Sequence, residues 1–182
     1  MKKLRLVMCV AAALGVAAVS PANADATDGK GTVTFNGKLI NQSCVLEDNS
    51  VDITVTLPTM STKSLDKPGA IAGSKLFNIN VKDCPSAITK VAAYFEAMGT
   101  SGVNSSTNNL KNSATNDPAT NVEVRLYDAD ETHLPLGNAG KLQNVNATTK
   151  TASMTYYGGY YATGQTTAGN VYAQAKFTLS YE

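Results

Sequence analysis

The sequence predicts an all-β domain, an antiparallel sandwich built from many short strands. Apolar and polar residues alternate in a series of short segments, and a period of two is that of a strand with one buried face. Turn-forming residues separate these segments, as at Asp83-Cys84-Pro85, and no amphipathic helix of normal length can be written. Short alternating strands joined by polar turns are typical of sandwiches rather than helical domains.

The first 24 residues have the layout of a cleavable secretory signal. A basic start precedes an apolar run over residues 6–19 and a small-residue triplet at residues 22–24. The apolar run is shorter than the roughly 20 residues that span a bilayer, so a signal peptide is favoured over a transmembrane anchor. We therefore expect an exported chain that begins at Asp25 and does not insert into a membrane.

Charge and cysteine content narrow the possible functions. The 15 Lys and Arg residues nearly balance 14 Asp and Glu residues, without the basic clusters that bind nucleic acid or anionic lipid. Cys9 lies in the signal segment, so Cys44 and Cys84 are expected to form one disulfide in an oxidising compartment. A metal site needs three or four ligands, and His133 is the only histidine beside these cysteines. No metal or other cofactor is expected.

The predicted elements follow one another along the exported chain. A polar tail over residues 25–31 leads into a first alternating segment, in which Gly31, Val33 and Phe35 share one face. Further strands are predicted over residues 39–46, 51–57, 76–81, 91–97, 122–127, 154–162 and 171–181. Residues 100–121 are rich in Asn, Ser and Thr, which predicts a long surface loop with one weak edge strand at most. Short helical pieces are expected near residues 61–65 or 148–151.

Candidate catalytic residues are almost absent. Any Ser-His-Asp or Cys-His arrangement would have to use His133, which lies in a turn-like stretch just before Pro135 and belongs to no catalytic motif. The acidic residues Asp128, Asp130 and Glu131 lack the glycine and the distal glutamate of a calcium loop. These acidic residues favour a strand-to-strand turn. Because the sequence has one histidine and no catalytic motif, no enzymatic activity is expected.

Four tyrosines, Tyr156, Tyr157, Tyr160 and Tyr161, form the one aromatic cluster. Placed together on an exposed face, their rings could stack on a sugar. In a strand, two of them would instead face the core and two the outside, with Gly158-Gly159 as a bulge or bend. The second arrangement is favoured, because it requires only the ordinary β-propensity of tyrosine.

The strand predicted over residues 171–181 has the sharpest alternation in the sequence. Its apolar face carries Ala173, Ala175, Phe177, Leu179 and Tyr181. The sequence ends at Glu182, so a further strand beside this one would have to come from elsewhere. A sandwich that needs that strand has an open core and a free edge that is a template for strand addition. Periodicity does not decide whether the segment around Val33 completes its own domain or enters a neighbour's groove.

Several motifs become specific when their order and spacing are taken together. They are G-x-V-x-F-x-G from Gly31 to Gly37, the pair Cys44 and Cys84, the stretch Tyr160-Tyr161-Ala162-Thr163-Gly164, Gly169, and the penultimate Tyr181. In these features the chain resembles the type 1 family of fimbrial major subunits, which are assembled by the chaperone-usher route. The resemblance implies an incomplete immunoglobulin-like sandwich that lacks its last strand. It divides the chain into a signal peptide (residues 1–24), a donor-strand extension (25–36) and a pilin domain (37–182).

The resemblance also implies how such subunits assemble. A periplasmic chaperone would lend a strand to the acceptor face, and its basic residues would hold the C-terminal carboxylate, here that of Glu182. The acceptor face consists of Gly169, Ala173, Ala175, Phe177, Leu179, Tyr181 and Glu182. At an outer-membrane usher, the extension of the next subunit would replace the chaperone strand. In that extension Gly31 would pass a narrow part of the groove, and Val33 and Phe35 would fill pockets beyond it.

The function implied by the resemblance is that of a structural subunit in a surface fimbria that supports cell adhesion. Its partners would be identical or related pilin subunits, together with the chaperone and the usher. A minor or adaptor subunit, or a glycan-binding adhesin subunit, is the alternative. The chain would pass through the periplasm and end in an extracellular fibre.

Overall fold

A computed structural model describes residues 31–99 and 101–182, and the regular secondary structure of these residues is almost entirely β-strand. The strands are β1 (Val45–Leu46), β2 (Ile71–Lys82), β3 (Lys90–Ala97), β4 (Leu110–Lys111), β5 (Val122–Tyr127), β6 (Gln143–Asn144), β7 (Ala152–Ala162) and β8 (Ala175–Tyr181). Two short 3-10 helices lie at Asp48–Ser50 and Thr62–Leu65. No helix in the described ranges is long and apolar enough to cross a membrane. The predicted signal peptide and residues 25–30 lie outside the described residues.

The strands form two sheets that face each other. The larger sheet has the order β1-β2-β7-β5-β4 and the smaller one β6-β3-β8, and the strands in both pair antiparallel. Leu39 ends one unit of the chain, and the second unit, Ile40–Glu182, contains all eight strands. The predicted fold class, an antiparallel β-sandwich, is confirmed.

The core is formed by the alternating apolar faces of β2, β3 and β7. Its buried members include Ile79, Val81, Val91, Phe95, Met154 and Tyr156. The Tyr156 hydroxyl accepts a hydrogen bond of 3.0 Å from the Ala93 backbone N–H and so joins the two sheets. Burial raises the pKa of Tyr156 to about 12, which keeps this hydroxyl neutral. A Cβ at Gly140 would lie 2.5 Å from the Tyr156 ring, so only glycine leaves room for the ring there.

The predicted disulfide is present and links the residue before β1 to the loop after β2. Cys44 and Cys84 are both buried, and their Cα atoms are 4.1 Å apart. The Tyr181 hydroxyl accepts a 3.2 Å hydrogen bond from the Cys44 backbone N–H and lies 2.5 Å from Ser43 Oγ. The final strand is therefore tied directly to the disulfide.

Most predicted strands are found, but some of their limits differ. Residues 122–127 match β5, and β2, β3 and β7 contain the segments predicted within them. The strand predicted over residues 39–46 is wrong for most of its length, because only Val45 and Leu46 pair with another strand. A strand needs a neighbouring strand to bond to, as well as side chains that alternate. Residues 39–43 are exposed and have no such neighbour within the described chain. The predicted helical turn is present at Thr62–Leu65, whereas residues 147–149 form a simple turn.

Candidate functional site

A long groove opens on one side of the sandwich, and β8 forms one of its walls. β8 pairs with β3 along one edge, and within the described residues its other edge has no strand partner. The chain just before β8 extends the same wall: Val171 and Ala173 are half-buried there, although they form no ladder. The strand predicted over residues 171–181 is therefore shorter, beginning at Ala175.

The opposite wall is formed by residues 51–57. Ile53, Val55 and Leu57 are half-buried, and the residues between them are exposed. This is the alternation of a strand, yet within the described chain no strand pairs with the segment and none of its backbone groups forms a backbone hydrogen bond. The predicted strand is thus extended without a ladder. Its free edge and the free edge of β8 border the same groove.

Aromatic and aliphatic side chains form the floor of the groove, which has a volume of about 660 Å³. Phe95 is central: its ring centroid lies 6.3 Å from that of Phe77, 5.0 Å from that of Tyr156 and 6.2 Å from that of Phe177. Leu126 also lines the floor. A strand lying here would bury apolar side chains against this floor and could bond to both free edges. We call this space the acceptor groove.

A second cavity of about 550 Å³, the upper pocket, continues the acceptor groove beyond Val171. Tyr160 and Val171 line both spaces, and burial raises the pKa of Tyr160, so its hydroxyl stays protonated. Gly169 lies at the rim of this pocket with φ of +149°, and a Cβ there would come within 2.5 Å of the Ala119 backbone nitrogen. A side chain at this position would therefore collide with backbone.

The predicted acceptor residues do not all line the groove. Ala173, Ala175 and Phe177 do, and Gly169 lines the upper pocket. Leu179 and Tyr181 are packed against the core instead, beyond the end of the groove. Sequence reasoning did not identify the opposite wall as a separate feature, because its alternation looks like that of any paired strand.

The end of the chain lies beside the start of β3. An α-carboxylate oxygen of Glu182 accepts hydrogen bonds from the backbone N–H groups of Thr89 and Lys90, at 3.3 and 3.2 Å. The Glu182 side chain forms an exposed ion pair of 2.7 Å with Lys90. These contacts fix the direction in which the C-terminal residue leaves β8.

Residues 31–39, the described part of the first unit, have no regular secondary structure. Their apolar side chains are exposed: Val33 by 76%, Phe35 by 90% and Leu39 by 99%. The apolar alternation that starts at Gly31 and Val33 continues through Gly37 to Leu39. Exposed alternating apolar residues of this kind are rare on a soluble protein surface and indicate a binding segment.

The tyrosines alternate between the two faces of β7, as expected for a strand. Tyr156 is buried in the core and Tyr160 lines the acceptor groove, whereas Tyr161 lies on the outer face with the Arg125 guanidinium 3.7 Å from its ring centroid. Of the predicted bulge or bend at Gly158-Gly159, the bulge lies instead on the paired strand: the register shift is in β2, between Ala72 and Lys75, and both glycines pair regularly with β5.

The acidic residues after β5 form a turn, as predicted. Asp128 accepts a 2.9 Å hydrogen bond from the Lys141 backbone N–H. Asp130 forms an ion pair with the Lys141 side chain and accepts a 2.7 Å hydrogen bond from Thr132 Oγ1; these contacts lower the pKa of Asp130 to about 2. No group of three or more His, Cys, Asp and Glu side chains in the described chain could hold a metal ion.

Comparisons with known proteins agree with this geometry. The sequence model of one family, described as fimbrial protein, matches residues 33–182. The major fimbrial subunit SMF-1 of Stenotrophomonas maltophilia is 37% identical over 172 residues, which cover 90% of this chain and 98% of that protein. The type-1 fimbrial protein A chain of Escherichia coli K12 is 31% identical over 183 residues and is matched along the full length of both chains.

Solved structures show the same fold. The P pilus rod subunit PapA matches with a TM-score of 0.60 at 16% identity, covering 76% of this chain and 99% of PapA. A chain from a solved chaperone-usher pilus matches with a TM-score of 0.61 at 20% identity, over 85% of this chain and 97% of that chain. The described sandwich is thus of the immunoglobulin-like type found in chaperone-usher pilus subunits.

Proposed function

The chain belongs to the fimbrial protein family and is a structural subunit of a pilus, and from this premise we propose that its subunits join by donor-strand complementation. Residues 31–39 of one subunit lie in the acceptor groove of the next and complete its sandwich. This family is a structural family and not an enzyme family, and we assign no catalytic residue. The fibre is displayed at the cell surface.

The observation that carries this proposal is the pair of free edges beside an apolar floor. An unpaired sheet edge that exposes core residues is a template for another strand, and proteins normally cover such edges. Here residues 51–57 and β8 leave both edges of the acceptor groove free within the described chain. One added strand would satisfy both edges and cover Phe77, Phe95 and Phe177 at the same time.

The spacing of the extension suits the spacing of β8. Five alternate positions of one donor face run from Gly31 to Leu39, and five alternate positions of the acceptor wall run from Val171 to Leu179. Every ladder between the strands described is antiparallel, so we place the donor antiparallel to β8. Gly31 then lies opposite Leu179, the bulky Phe35 opposite the small Ala175, and Leu39 opposite Val171 at the mouth of the upper pocket.

The same groove needs a temporary occupant before assembly. A free subunit would expose a hydrophobic groove and unpaired backbone groups, which favour aggregation. A periplasmic chaperone that lends a strand to β8 and binds the C-terminal carboxylate of Glu182 would prevent this. An outer-membrane usher would then bring the next subunit's extension to the groove. Export through the periplasm, the chaperone and the usher are parts of this proposal.

Phe35→Arg tests the proposal in assembled fibres. A charged side chain cannot be buried against Phe95 and Phe177 without a large desolvation cost, so the variant should not polymerise. Fibres sheared from cells that make the unaltered chain should give a ladder of multimers in unheated detergent gels, and one band after boiling. Cells that make Phe35→Arg should give no ladder while retaining the subunit in the periplasm.

Thr34→Arg is the matched control, because residue 34 lies on the opposite face of the donor and would point away from the floor. This variant should give the same ladder as the unaltered chain. A ladder of equal length from Phe35→Arg, or a single band from intact fibres without heating, would argue against donor-strand linkage.

A further inference from the structure

The upper part of the β8 wall, residues 170–174, lies outside the regular sheet. The ladder between β3 and β8 ends at the pair Ala97 and Ala175, and one more backbone hydrogen bond, from Met98 N–H to the Gln174 oxygen, follows at 3.2 Å. Beyond it, the described chain offers the wall one isolated parallel bridge, between Pro118 and Asn170. Its backbone hydrogen bonds run from the Asn170 N–H to the Asp117 oxygen at 2.7 Å and from the Ala119 N–H to the Asn170 oxygen at 2.9 Å. The contacts that replace the missing strand come from the polar loop around Asn112.

The Asn112 side chain bonds to this wall with both of its polar atoms. Its Oδ1 accepts a 3.0 Å hydrogen bond from the Tyr172 backbone N–H. Its Nδ2 donates to the carbonyl oxygens of Asn170 and Ala119, each at 2.9 Å. One amide group thereby performs the part of a neighbouring strand, which would also donate to one residue and accept from another.

Two serines extend the same support. Ser113 donates to the Tyr172 carbonyl oxygen from its backbone N–H at 2.8 Å and from its hydroxyl at 3.0 Å. Ser101, which is buried, accepts a 2.9 Å hydrogen bond from the Gln174 backbone N–H, and its Oγ lies 2.8 Å from that of Ser113. The three side chains together form what we call the polar bracket: Ser101, Asn112 and Ser113.

The bracket bonds to alternate residues of the wall. Its partners are the backbone groups of Asn170, Tyr172 and Gln174. In an extended segment, successive residues point their backbone N–H and C=O groups to opposite edges. The backbone groups of Val171 and Ala173 are therefore directed to the other edge, which borders the acceptor groove.

Resting on the donor-strand assembly proposed above, we infer that Asn112, with Ser101 and Ser113, positions the upper wall for the incoming donor. The bracket keeps residues 170–174 extended while the groove edge is still unpaired, so the backbone groups opposite Gly37 and Leu39 are already aligned when the donor arrives. Ordering the wall in advance lowers the entropy cost of strand addition. Asn112 is a positioning residue, since it acts through the wall and does not line the groove.

The test measures how fast the chaperone-bound subunit captures a labelled synthetic peptide with the sequence of residues 25–39. Asn112→Ala removes two hydrogen bonds to the wall, those with Tyr172 and Asn170, together with the bonds to Ala119 and Ala114 in its own loop. Capture should therefore slow about tenfold. Asn116→Ala is the matched control: it lies in the same loop, and its side chain forms no hydrogen bond within the described chain. Its capture rate should stay within about twofold of the unaltered rate.

A second peptide that carries Leu39→Ala separates positioning from general stability. The altered peptide has already lost its contact with the upper wall, so Asn112→Ala should slow it less than it slows the unaltered peptide. Ser101→Ala is a smaller change, and it should also slow capture of the unaltered peptide. It provides the test if Asn112→Ala does not fold. Equal slowing of both peptides, or rates for Asn112→Ala and Ser101→Ala that match Asn116→Ala, would overturn the inference. Failure of the unaltered chain to capture either peptide would instead overturn donor-strand assembly itself.

Discussion

His133 illustrates how a single side chain can limit the stability of this sandwich. Its Nε2 atom is buried without a hydrogen-bond partner among the described residues. Burial of the ring lowers the pKa of His133, and the nearby Arg125 guanidinium lowers it further. The neutral imidazole is therefore the form that the folded chain prefers.

This shift predicts a loss of stability at mildly acidic pH. Because the folded pKa is lower than the unfolded value of about 6.5, the unfolded chain takes up the proton first as the pH falls. The stabilisation is fully present above pH of about 6.5 and is lost as the pH drops through that value towards the folded pKa. Thermal unfolding of the subunit filled with donor peptide should thus show a midpoint that falls between pH 7 and pH 5.

His133→Gln removes this titration and should flatten the fall in the midpoint over the same interval. Asp130 provides an internal check, because its pKa of about 2 places its own contribution at more acidic pH, where both proteins should respond alike. Parallel curves for the two proteins between pH 7 and pH 5 would contradict the assignment.

The sequence indicated some single residues well and missed others for a physical reason. The disulfide between Cys44 and Cys84 was predicted from export to an oxidising compartment. The apolar positions of the last strand were predicted from period-two alternation. Asn112 could not be identified, because a side chain that bonds to backbone 58 to 60 residues away leaves no periodic or motif signal. The surrounding run of Asn, Ser and Thr predicted a loop with at most one weak edge strand, which is β4. It gave no sign that several of its side chains hold the wall beside the groove.

At the scale of elements, period-two alternation predicted β2, β3, β5 and β7 because each of them has a buried face. It was less reliable for residues 39–44, 51–57 and 171–174, which have no ladder within the described chain. Alternation reports which face is buried, whereas a strand also needs hydrogen-bond partners. The second and third of these segments border the acceptor groove. A segment with strand-like alternation but no ladder therefore marks the place where a partner strand is missing.

Gly169 is the position at which the wall element tolerates least change. Its φ is +149°, and backbone atoms of residues 117–119 lie 2.5 to 2.8 Å from the position that a Cβ would occupy. Gly169→Ala should therefore move the loop or the wall and lower the free energy of unfolding by about 2 kcal/mol. Denaturant unfolding of the peptide-filled subunit would measure the change.

Gly102→Ala is the control for Gly169→Ala, since a Cβ at Gly102 would contact only the Lys111 side chain, at 3.8 Å. Its unfolding curve should lie close to that of the unaltered subunit. Similar stability losses for the two variants would show that the close approach of Gly169 to residues 117–119 is not a constraint on the wall.

The unit Ile40–Glu182, as far as the structure describes it, is a sandwich with two sheets, a disulfide and one uncovered side. The disulfide closes a separation of 40 residues and, through Tyr181, fixes the lower end of β8. The polar bracket holds residues 170–174, which lead into the upper end of β8. The free edge between these two anchors is consequently a rigid template, and strand addition needs little rearrangement of the subunit.

If the groove is a vacancy for one strand, the chain should become a stable monomer once that strand is supplied within it. Moving residues 31–39 from their own position to follow Glu182, through a flexible linker of about four residues, lets the segment turn back antiparallel to β8. Val33, Phe35 and Leu39 would then be buried in the same molecule. The rearranged chain should be soluble and monomeric, and it should not join other subunits.

The appropriate comparison is the same rearranged chain with Val33→Asn and Phe35→Asn, which keeps the backbone of the moved segment but removes its two bulky apolar groups nearest the aromatic floor. At about 1.5–3 kcal/mol for each buried side chain, the unaltered segment should raise the free energy of unfolding by about 3–6 kcal/mol over this control. Chemical denaturation would measure the difference, and size-exclusion chromatography would report the monomer. Equal denaturation midpoints would mean that the space between β8 and residues 51–57 does not select an apolar strand, since the two proteins differ only in the side chains offered to the floor.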